Sequence, residues 1–378
     1  MTDTNPARLR VNLKREIDES YSIVFGEHLF SAIADYVARQ TSTNDTDGYA
    51  IITDSNVHTL HASALKSAVR EHGLKTDIFS FPAGEQYKRM ETCLDIMDTM
   101  TTKGYNRDSF ILALGGGVVG DMAGCMAALF NRGIPYIQIP TTLLAQADAA
   151  VGGKTGVNTE YGKNLLGVFQ QPRRVFVDVA TLTTLSDTEF SNGLAETIKH
   201  SIVQDASFFN YLETNLDTIL AREPTALLKL AQTNCRIKAA IVEYDPQEYS
   251  LRRVLNYGHT IGHALEKLTN YELSHGSCVS IGMMAEARIA QELGHFSDQE
   301  LQRQQNLLQR AGLPIHIPPT VSNKSLIELT DRDKKAKAGK ARYCLPHIIG
   351  KMCEYGLNYV TPVDPAIVDK AVTQTRAT

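Results

Sequence analysis

The feature that most constrains the fold is a change of rhythm near residue 180. Before it, short apolar runs alternate with amphipathic stretches of helical length. "YSIVFG", "YAIITD", "TDIFSFP", "SFILALGGG" and "PYIQIPTT" read as strands. "LFSAIADYVARQ", "HTLHASALKSAVREHG" and "RMETCLDIMDTMTTKG" read as helices. Strands buried on both faces read as near-continuous apolar runs, and parallel pairing needs helical crossovers between them. Beyond Thr181 the strand signal stops. "EFSNGLAETIKHSIV", "TALLKLAQTNCRIKAAIVEYD", "HTIGHALEKL", "SIGMMAEARIAQELG" and "DQELQRQQNLLQRAG" carry apolar residues at helical spacing. The pattern predicts an α/β domain with a mostly parallel sheet over 1–180. An all-α domain over 181–378 should follow, with a cleft between the two as the natural place for a site.

Composition narrows the partners. A net charge of −4 offers no global attraction to nucleic acid or to an anionic membrane. An anionic substrate must therefore be held by a local basic cluster. No apolar run reaches the roughly 18 residues of a membrane span, and "MTDTNPARLRVNLKREIDES" lacks an apolar signal core. The six cysteines (Cys93, Cys125, Cys235, Cys278, Cys344, Cys353) are scattered, with no C-x-x-C pair. That usage argues for a reduced cytoplasmic compartment and against a cysteine-based metal site.

"ILALGGGVVGDMAG" joins a strand, a glycine cluster and the start of a helix. Gly115, Gly117 and Gly120 fit the G-x-G-x-x-G turn, whose small residues admit a pyrophosphate to the helix N-terminus. The acidic residue usual about 20 positions later is missing, since "PYIQIPTT" ends in threonines. Asp54, closing "YAIITD", is the candidate ribose partner instead. The alternative is a tight structural turn.

"ADAAVGGKTGVNTEYGKN" gathers Asp148, Lys154, Asn158, Lys163 and Asn164 among four glycines. A lysine on an open glycine loop suits phosphate, because its ammonium and free backbone N–H groups converge. A solvated loop is the plainer reading. In "GLAETIKH", Glu196 and Lys199 are three apart on one helical face, the spacing of a surface ion pair as well. In "NYGHTIGHALE", His259 and His263 are four apart and share a face. Such a pair can bind metal or pack in the core. Adding His275 and a distant carboxylate such as Glu196 would make a His₂Glu zinc site with open positions.

Taken together, "GEQYK", "ALGGGVVGDMAG", "IPTTLLAQADAAVGGKTGVN", "GKNLLGVFQQP", "GLAETIKH", "LRRVLNYGHTIGHALE" and "RDKK" occur in one order. In this the chain resembles the 3-dehydroquinate synthases of the sugar phosphate cyclase family, from about residue 10 to about 355. The resemblance implies an NAD-binding α/β domain, a metal-binding helical domain and a homodimer. It implies conversion of 3-deoxy-D-arabino-heptulosonate 7-phosphate to 3-dehydroquinate and phosphate. In that reaction NAD⁺ transiently oxidises the C5 hydroxyl, phosphate leaves by β-elimination, and the ketone is reduced again. The ring then opens and an intramolecular aldol closes the carbocycle. The metal is most often zinc, with cobalt an alternative.

The resemblance also implies roles. Glu196, His259 and His275 are its metal ligands. Asp54, Glu85, Lys88, Gly115, Gly116, Gly117, Val118, Val119, Gly120, Asp121, Thr141 and Thr142 are its NAD contacts, with Thr181, Leu182, Thr183 and Thr184. Lys154, Asn164, Arg252 and Asn256 form its phosphate clamp, with Arg132 entering from a second subunit. Lys163, Lys199 and Lys238 face the substrate carboxylate and hydroxyls, and Lys154 and Lys163 also border the nucleotide. Glu248 and His263 join the polar network, Asp148 lies near the metal, and Lys334 or Lys335 closes over the site. Two departures concern substrate preference: Thr159 stands where the family commonly has histidine, and Ser277 where it commonly has glutamate. Relatives that cyclise sedoheptulose 7-phosphate or glucose 6-phosphate alter the clamp, whereas Lys154, Lys163, Asn256 and His263 keep the dehydroquinate pattern. Two readings compete. A metal-dependent polyol dehydrogenase would share the architecture but have no use for so many basic residues. A non-catalytic nucleotide-binding module would have no use for an intact ligand set.

Overall fold

The computed structural model describes residues 9–14, 16–44, 46–331 and 340–377. The first half runs β1 (Ser22–Gly26), α1 (Phe30–Asn44), β2 (Gly48–Asp54), α2 (Ser55–Val57), α3 (Ser63–Glu71), β3 (Thr76–Phe81), α4 (Met90–Thr102), β4 (Ser109–Gly115), α5 (Gly117–Leu129) and β5 (Tyr136–Pro140). β6 (Lys154–Thr159), β7 (Gly162–Phe169) and β8 (Arg174–Asp178) complete it. Six strands form one parallel sheet in the order β1-β8-β5-β4-β2-β3. Alternation along β2 explains the layering. Tyr49 and Ile51 face the core under α1 and α3, whereas Ala50 and Ile52 face the core under α4 and α5. From β2 the chain steps outward to β3, and from β4 it steps the opposite way to β5. Their carboxyl ends, Asp54 and Gly115, flank the point where strand order reverses, the usual ligand crevice of such sheets.

Two elements depart from the sequence reading. "KTGVNT" and "GKNLLGVF" form an antiparallel hairpin, β6–β7, so Lys154 begins a strand rather than sitting on a loop. The backbones of Gly156 and Gly167 approach too closely for any side chain. "RVFVD" supplies β8, which inserts between β1 and β5.

The second half is helical: α6 (Asp187–Gln204), α7 (Ala206–Leu220), α8 (Pro224–Tyr244), α9 (His259–Leu268), α10 (His275–Glu292), α11 (Asp298–Arg310), α12 (Asn323–Asp331) and α13 (Pro365–Gln374). A small hairpin, β9 (Pro346–Ile348) with β10 (Lys351–Met352), interrupts the all-α expectation. One apolar core joins the halves, packing Val175 and Val177 of β8 with Leu194 and Ile198 of α6 and Val279 and Met283 of α10. Glycines set the α9–α10 spacing: a Cβ on Gly282 would fall 1.9 Å from the Gly258 carbonyl oxygen. That close approach brings His259 and His275 to neighbouring helix starts. Among the described residues, no helix is long and apolar enough to cross a membrane.

Candidate metal and substrate site

Three helices converge on Glu196. It projects from the middle of α6, a helix capped by Ser186 and buried through most of its length. His259 is the first residue of α9, after left-handed Gly258. His275 is the first residue of α10, capped by Ser274. One ligand atom from each of the three lies within 4.8 Å of the others. The Nε2 atoms of His259 and His275 stand 3.5 and 3.3 Å from Glu196 Oε1. Each histidine spends its other nitrogen elsewhere. His259 Nδ1 donates to the Tyr257 carbonyl at 3.1 Å, and His275 Nδ1 to Glu266 Oε1 at 3.2 Å. Those bonds hold each Nδ1 away from the centre and leave both Nε2 atoms facing Glu196 Oε1. Both Glu196 carboxylate oxygens are buried without a hydrogen bond of good geometry, although Lys199 pairs with the group. Burial raises a carboxyl's pKa, but Lys199, His259 and His275 hold Glu196 well below the usual carboxylate range. A buried anion and two oriented imidazoles suit a divalent cation.

Glu196 and Lys199 are each 1% exposed, so the surface-pair reading fails: the pair lies in the interior. Beside them Asp148 Oδ1 accepts from Lys238 Nζ at 2.6 Å and lies 3.5 Å from His200 Nε2. His200 is held through its Nδ1 by Asn234, at 3.0 Å. His263 stacks its ring edge-on to His259, with centroids 5.2 Å apart, and lies 6.3 Å from His275. It sits beside the three-ligand set, not in it.

The basic residues gather around this centre. Arg252 is 2% exposed, and its Nη2 donates to the Gly152 carbonyl at 3.0 Å. Its Nε–H is buried with no hydrogen-bond partner. Gly152 has φ +95°, and a Cβ there would come 2.5 Å from Arg252 Nη2. Glu248, itself at φ +63°, joins two clamp candidates: its carboxylate pairs with Lys154 and accepts from Asn256 Nδ2 at 2.6 Å. Asn256 closes a 3₁₀ turn, Leu251–Asn256, and the non-helical backbone of Tyr257 and Gly258 separates it from α9. Lys163 Nζ donates to Glu266 Oε1 at 2.9 Å, which ties the β6–β7 hairpin to His275.

The same network reaches the glycine turn. Lys88 Nζ donates to Asp121 Oδ2 at 2.5 Å and to Asn164 Oδ1 at 2.6 Å. Asn158 holds the Glu85 carboxylate at 2.8 Å. Gly116 caps α5, so the first N–H groups of Gly117, Val118 and Val119 lie free at the sheet's ligand edge. A Cβ on Gly115 would meet Val119 Cγ2 at 2.5 Å, and one on Gly120 would meet Gln138 Oε1 at 2.8 Å. Small residues are therefore needed for packing, whatever the turn binds. Asp54 caps α2 through bonds to the Asn56 and Val57 amides. Thr141 and Thr142 follow β5, and Thr181, Leu182, Thr183 and Thr184 form the 3₁₀ turn after β8. Thr184 Oγ1 lies 3.0 Å from His61 Nε2. Leu182 is buried in the core and offers a nucleotide no side-chain contact. An open helix N-terminus at a reversal of strand order fits a dinucleotide.

Arg132 is not brought to this site within one chain. It is exposed on the turn after α5, about 20 Å from that helix's N-terminus by the 1.5 Å rise per residue. Lys334 and Lys335 lie outside the described residues. Sequence reasoning missed Glu266 and His200. Glu266 ends the "GHALE" run seven positions after His259, and His200 follows Lys199 on α6; only long-range partners distinguish them from ordinary helical residues.

Comparison with known proteins supplies the family. The family models described as 3-dehydroquinate synthase N-terminal and C-terminal match residues 78–192 and 193–336. The chain is 41% identical over 336 residues to the 3-dehydroquinate synthase of Desulforamulus reducens, covering 89% of this chain and 93% of that protein. Among solved structures it resembles the 2-epi-5-epi-valiolone synthase ValA of Streptomyces hygroscopicus subsp. jinggangensis, which has NAD⁺ and Zn²⁺ bound. The TM-score is 0.86 at 28% identity, covering 97% of this chain and 99% of that one. It also resembles a 2-deoxy-scyllo-inosose synthase complexed with carbaglucose-6-phosphate, NAD⁺ and Co²⁺. There the TM-score is 0.85 at 27% identity, with 93% and 96% covered. Two family segments matched end to end across the sheet and the helices leave one conclusion: the chain belongs to the 3-dehydroquinate synthase family.

Proposed function

We propose that this chain converts 3-deoxy-D-arabino-heptulosonate 7-phosphate to 3-dehydroquinate and phosphate, using NAD and one divalent metal. Zinc is the first choice of metal and cobalt the second. The observation that supports the reading is the Glu196–His259–His275 set with Lys199 on Glu196, Lys163 on Glu266 and Lys238 on Asp148, and with Lys154 and Arg252 on nearby Glu248 and Gly152. A polyol dehydrogenase has no use for five cations around its metal. A phosphorylated sugar acid does.

Glu196, His259 and His275 would hold the cation, which supplies Lewis acidity toward the hydroxyl being oxidised. The glycine turn, with Asp54, Glu85, Lys88, Asp121, Thr141, Thr142 and the Thr181–Thr184 turn, would hold NAD, a carrier that takes a hydride and gives it back. Lys154, Asn164, Arg252 and Asn256 orient the phosphate. Arg252 serves best here, because its buried unpartnered Nε–H adds a directional donor where lysine gives a point charge. Glu248 pairs with Lys154 and Asn256 and would give both up to the incoming phosphate. Lys163, Lys199 and Lys238 receive the substrate carboxylate and hydroxyls. Asp148 keeps Lys238 and His200 oriented, and His263 completes the polar wall beside the metal ligands. The protein's contribution is orientation and fixed charge, and the departing phosphate is positioned to take the proton itself.

The reading includes two domains meeting near residue 180, a reduced cytoplasmic setting and a homodimer. All six cysteines are free and buried, which fits that setting. Exposed Leu165, Leu166, Val168 and Phe169 on β7, with exposed Leu129 near Arg132, give a second copy an apolar surface to cover. The test offers the NAD⁺- and Zn²⁺-loaded enzyme the heptulosonate phosphate, sedoheptulose 7-phosphate and glucose 6-phosphate. Phosphate release and the cyclic product are assayed for each. The heptulosonate should turn over fastest; preference for either other sugar would reject the assignment.

A further inference from the structure

A second set of metal-ligating side chains lies outside the site described above. His295, His347 and Cys353 bring one ligand atom each within 4.8 Å of one another. None of them touches Glu196, His259 or His275 through any described bond. The sequence holds no close cysteine pair. Here the fold instead joins residues far apart in sequence. His295 follows Gly294, the left-handed residue that ends α10, and its amide donates to the Ala290 carbonyl at 2.8 Å. His347 is the middle residue of β9, and Cys353 follows β10 directly.

We propose that His295, His347 and Cys353 form a second site for a borderline-soft divalent cation such as zinc, clipping the β9–β10 hairpin to the end of α10. Two imidazoles and a thiolate are a zinc-type donor set, which leaves a fourth position for water. Bonds of about 2.0–2.3 Å to a tetrahedral centre place two nitrogens and a sulfur about 3.3–3.6 Å apart, within reach of side-chain rotation. The backbone that carries them is already fixed. Cys353 N donates to the Leu345 carbonyl at 2.9 Å, and Gly350 N to the Ile202 carbonyl of α6 at 2.8 Å. Ile349 N donates to Glu300 Oε1 at 2.8 Å. His347 is exposed and gives the ion a way in, while Cys353 is 7% exposed and shields its sulfur. The neighbouring Tyr355 hydroxyl is buried with no hydrogen-bond partner of good geometry, a donor ready for a thiolate. Without the ion the thiol donates to the Pro346 carbonyl at 3.5 Å, and burial pushes it up from its ordinary pKa. Binding forms the metal–sulfur bond and sends the thiol proton to solvent.

Cobalt distinguishes the two sites, because Glu196, His259 and His275 include no sulfur. Co²⁺ is titrated into the full-length, NAD⁺-loaded protein and absorption is followed. The first equivalent should give only weak visible bands. A second equivalent should add the intense near-ultraviolet charge-transfer band of cobalt–thiolate. Cys353→Ser and His347→Ala should each lose that band and the second equivalent, and keep the first. His347→Ala alters an exposed residue, so it decides the matter even where Cys353→Ser folds poorly. Absence of the band in the wild type, or its survival in Cys353→Ser, overturns the proposal.

Discussion

Glu266→Gln tests how the metal ligands are held. The Glu266 carboxylate is 4% exposed and its Oε1 serves two donors, His275 Nδ1 at 3.2 Å and Lys163 Nζ at 2.9 Å. Burial opposes its ionisation, but His275 and Lys163 hold it well below the usual carboxylate range. It therefore acts as an anion. Glutamine keeps the volume and one acceptor but removes the charge, and hydrogen bonds to an ionised acceptor are about twice as strong as neutral ones. His275 loses basicity and orientation together. Replacing such an outer partner weakens metal binding about 10- to 100-fold, or about 1.4–2.8 kcal/mol. The assay titrates metal-free protein with Zn²⁺ against a chromophoric chelator. Turnover is then measured with excess Zn²⁺, where kcat should largely return while KM stays raised, because Lys163 has lost its anchor. Wild-type Zn²⁺ affinity in a folded Glu266→Gln protein would refute the reasoning.

Lys154→Ala should lower phosphate release by orders of magnitude while NAD⁺ still binds; a matching loss of NAD⁺ affinity would remove Lys154 from the clamp. His263→Ala should retain bound metal and His259→Ala should lose it, since only His259 lies in the three-ligand set; metal analysis of both variants decides this. Gly152→Ala forces a side chain into φ +95° and onto Arg252 Nη2. A loss of roughly 1–2 kcal/mol in urea unfolding should result, with a raised KM for substrate and an unchanged Kd for NAD⁺.

The alternation before residue 180 was legible because buried parallel strands are short apolar runs, and β2, β4 and β5 are nearly fully buried. The β6–β7 hairpin was not, because β7 is mostly exposed and β6 carries glycine and asparagine, so neither shows a buried or alternating pattern. The three candidate ligands were reached through the family resemblance carried by motif order, not through spacing. Glu196 lies 63 residues before His259, and only the α6, α9 and α10 packing joins them. Glu266 reads in the sequence as one more polar residue on α9. Its two partners come from β7 and α10, which no local pattern reveals. The interior placement of the Glu196–Lys199 pair was equally hidden, since (i, i+3) spacing says nothing about burial.

Recycling of NAD within each turnover separates a phosphate-eliminating cyclase from a dehydrogenase. The most direct measurement supplies the heptulosonate phosphate in large excess over NAD⁺ and follows phosphate and NADH together. Many phosphates released per NAD⁺, with no net NADH, is the predicted result. NADH accumulating in step with substrate consumption would contradict it.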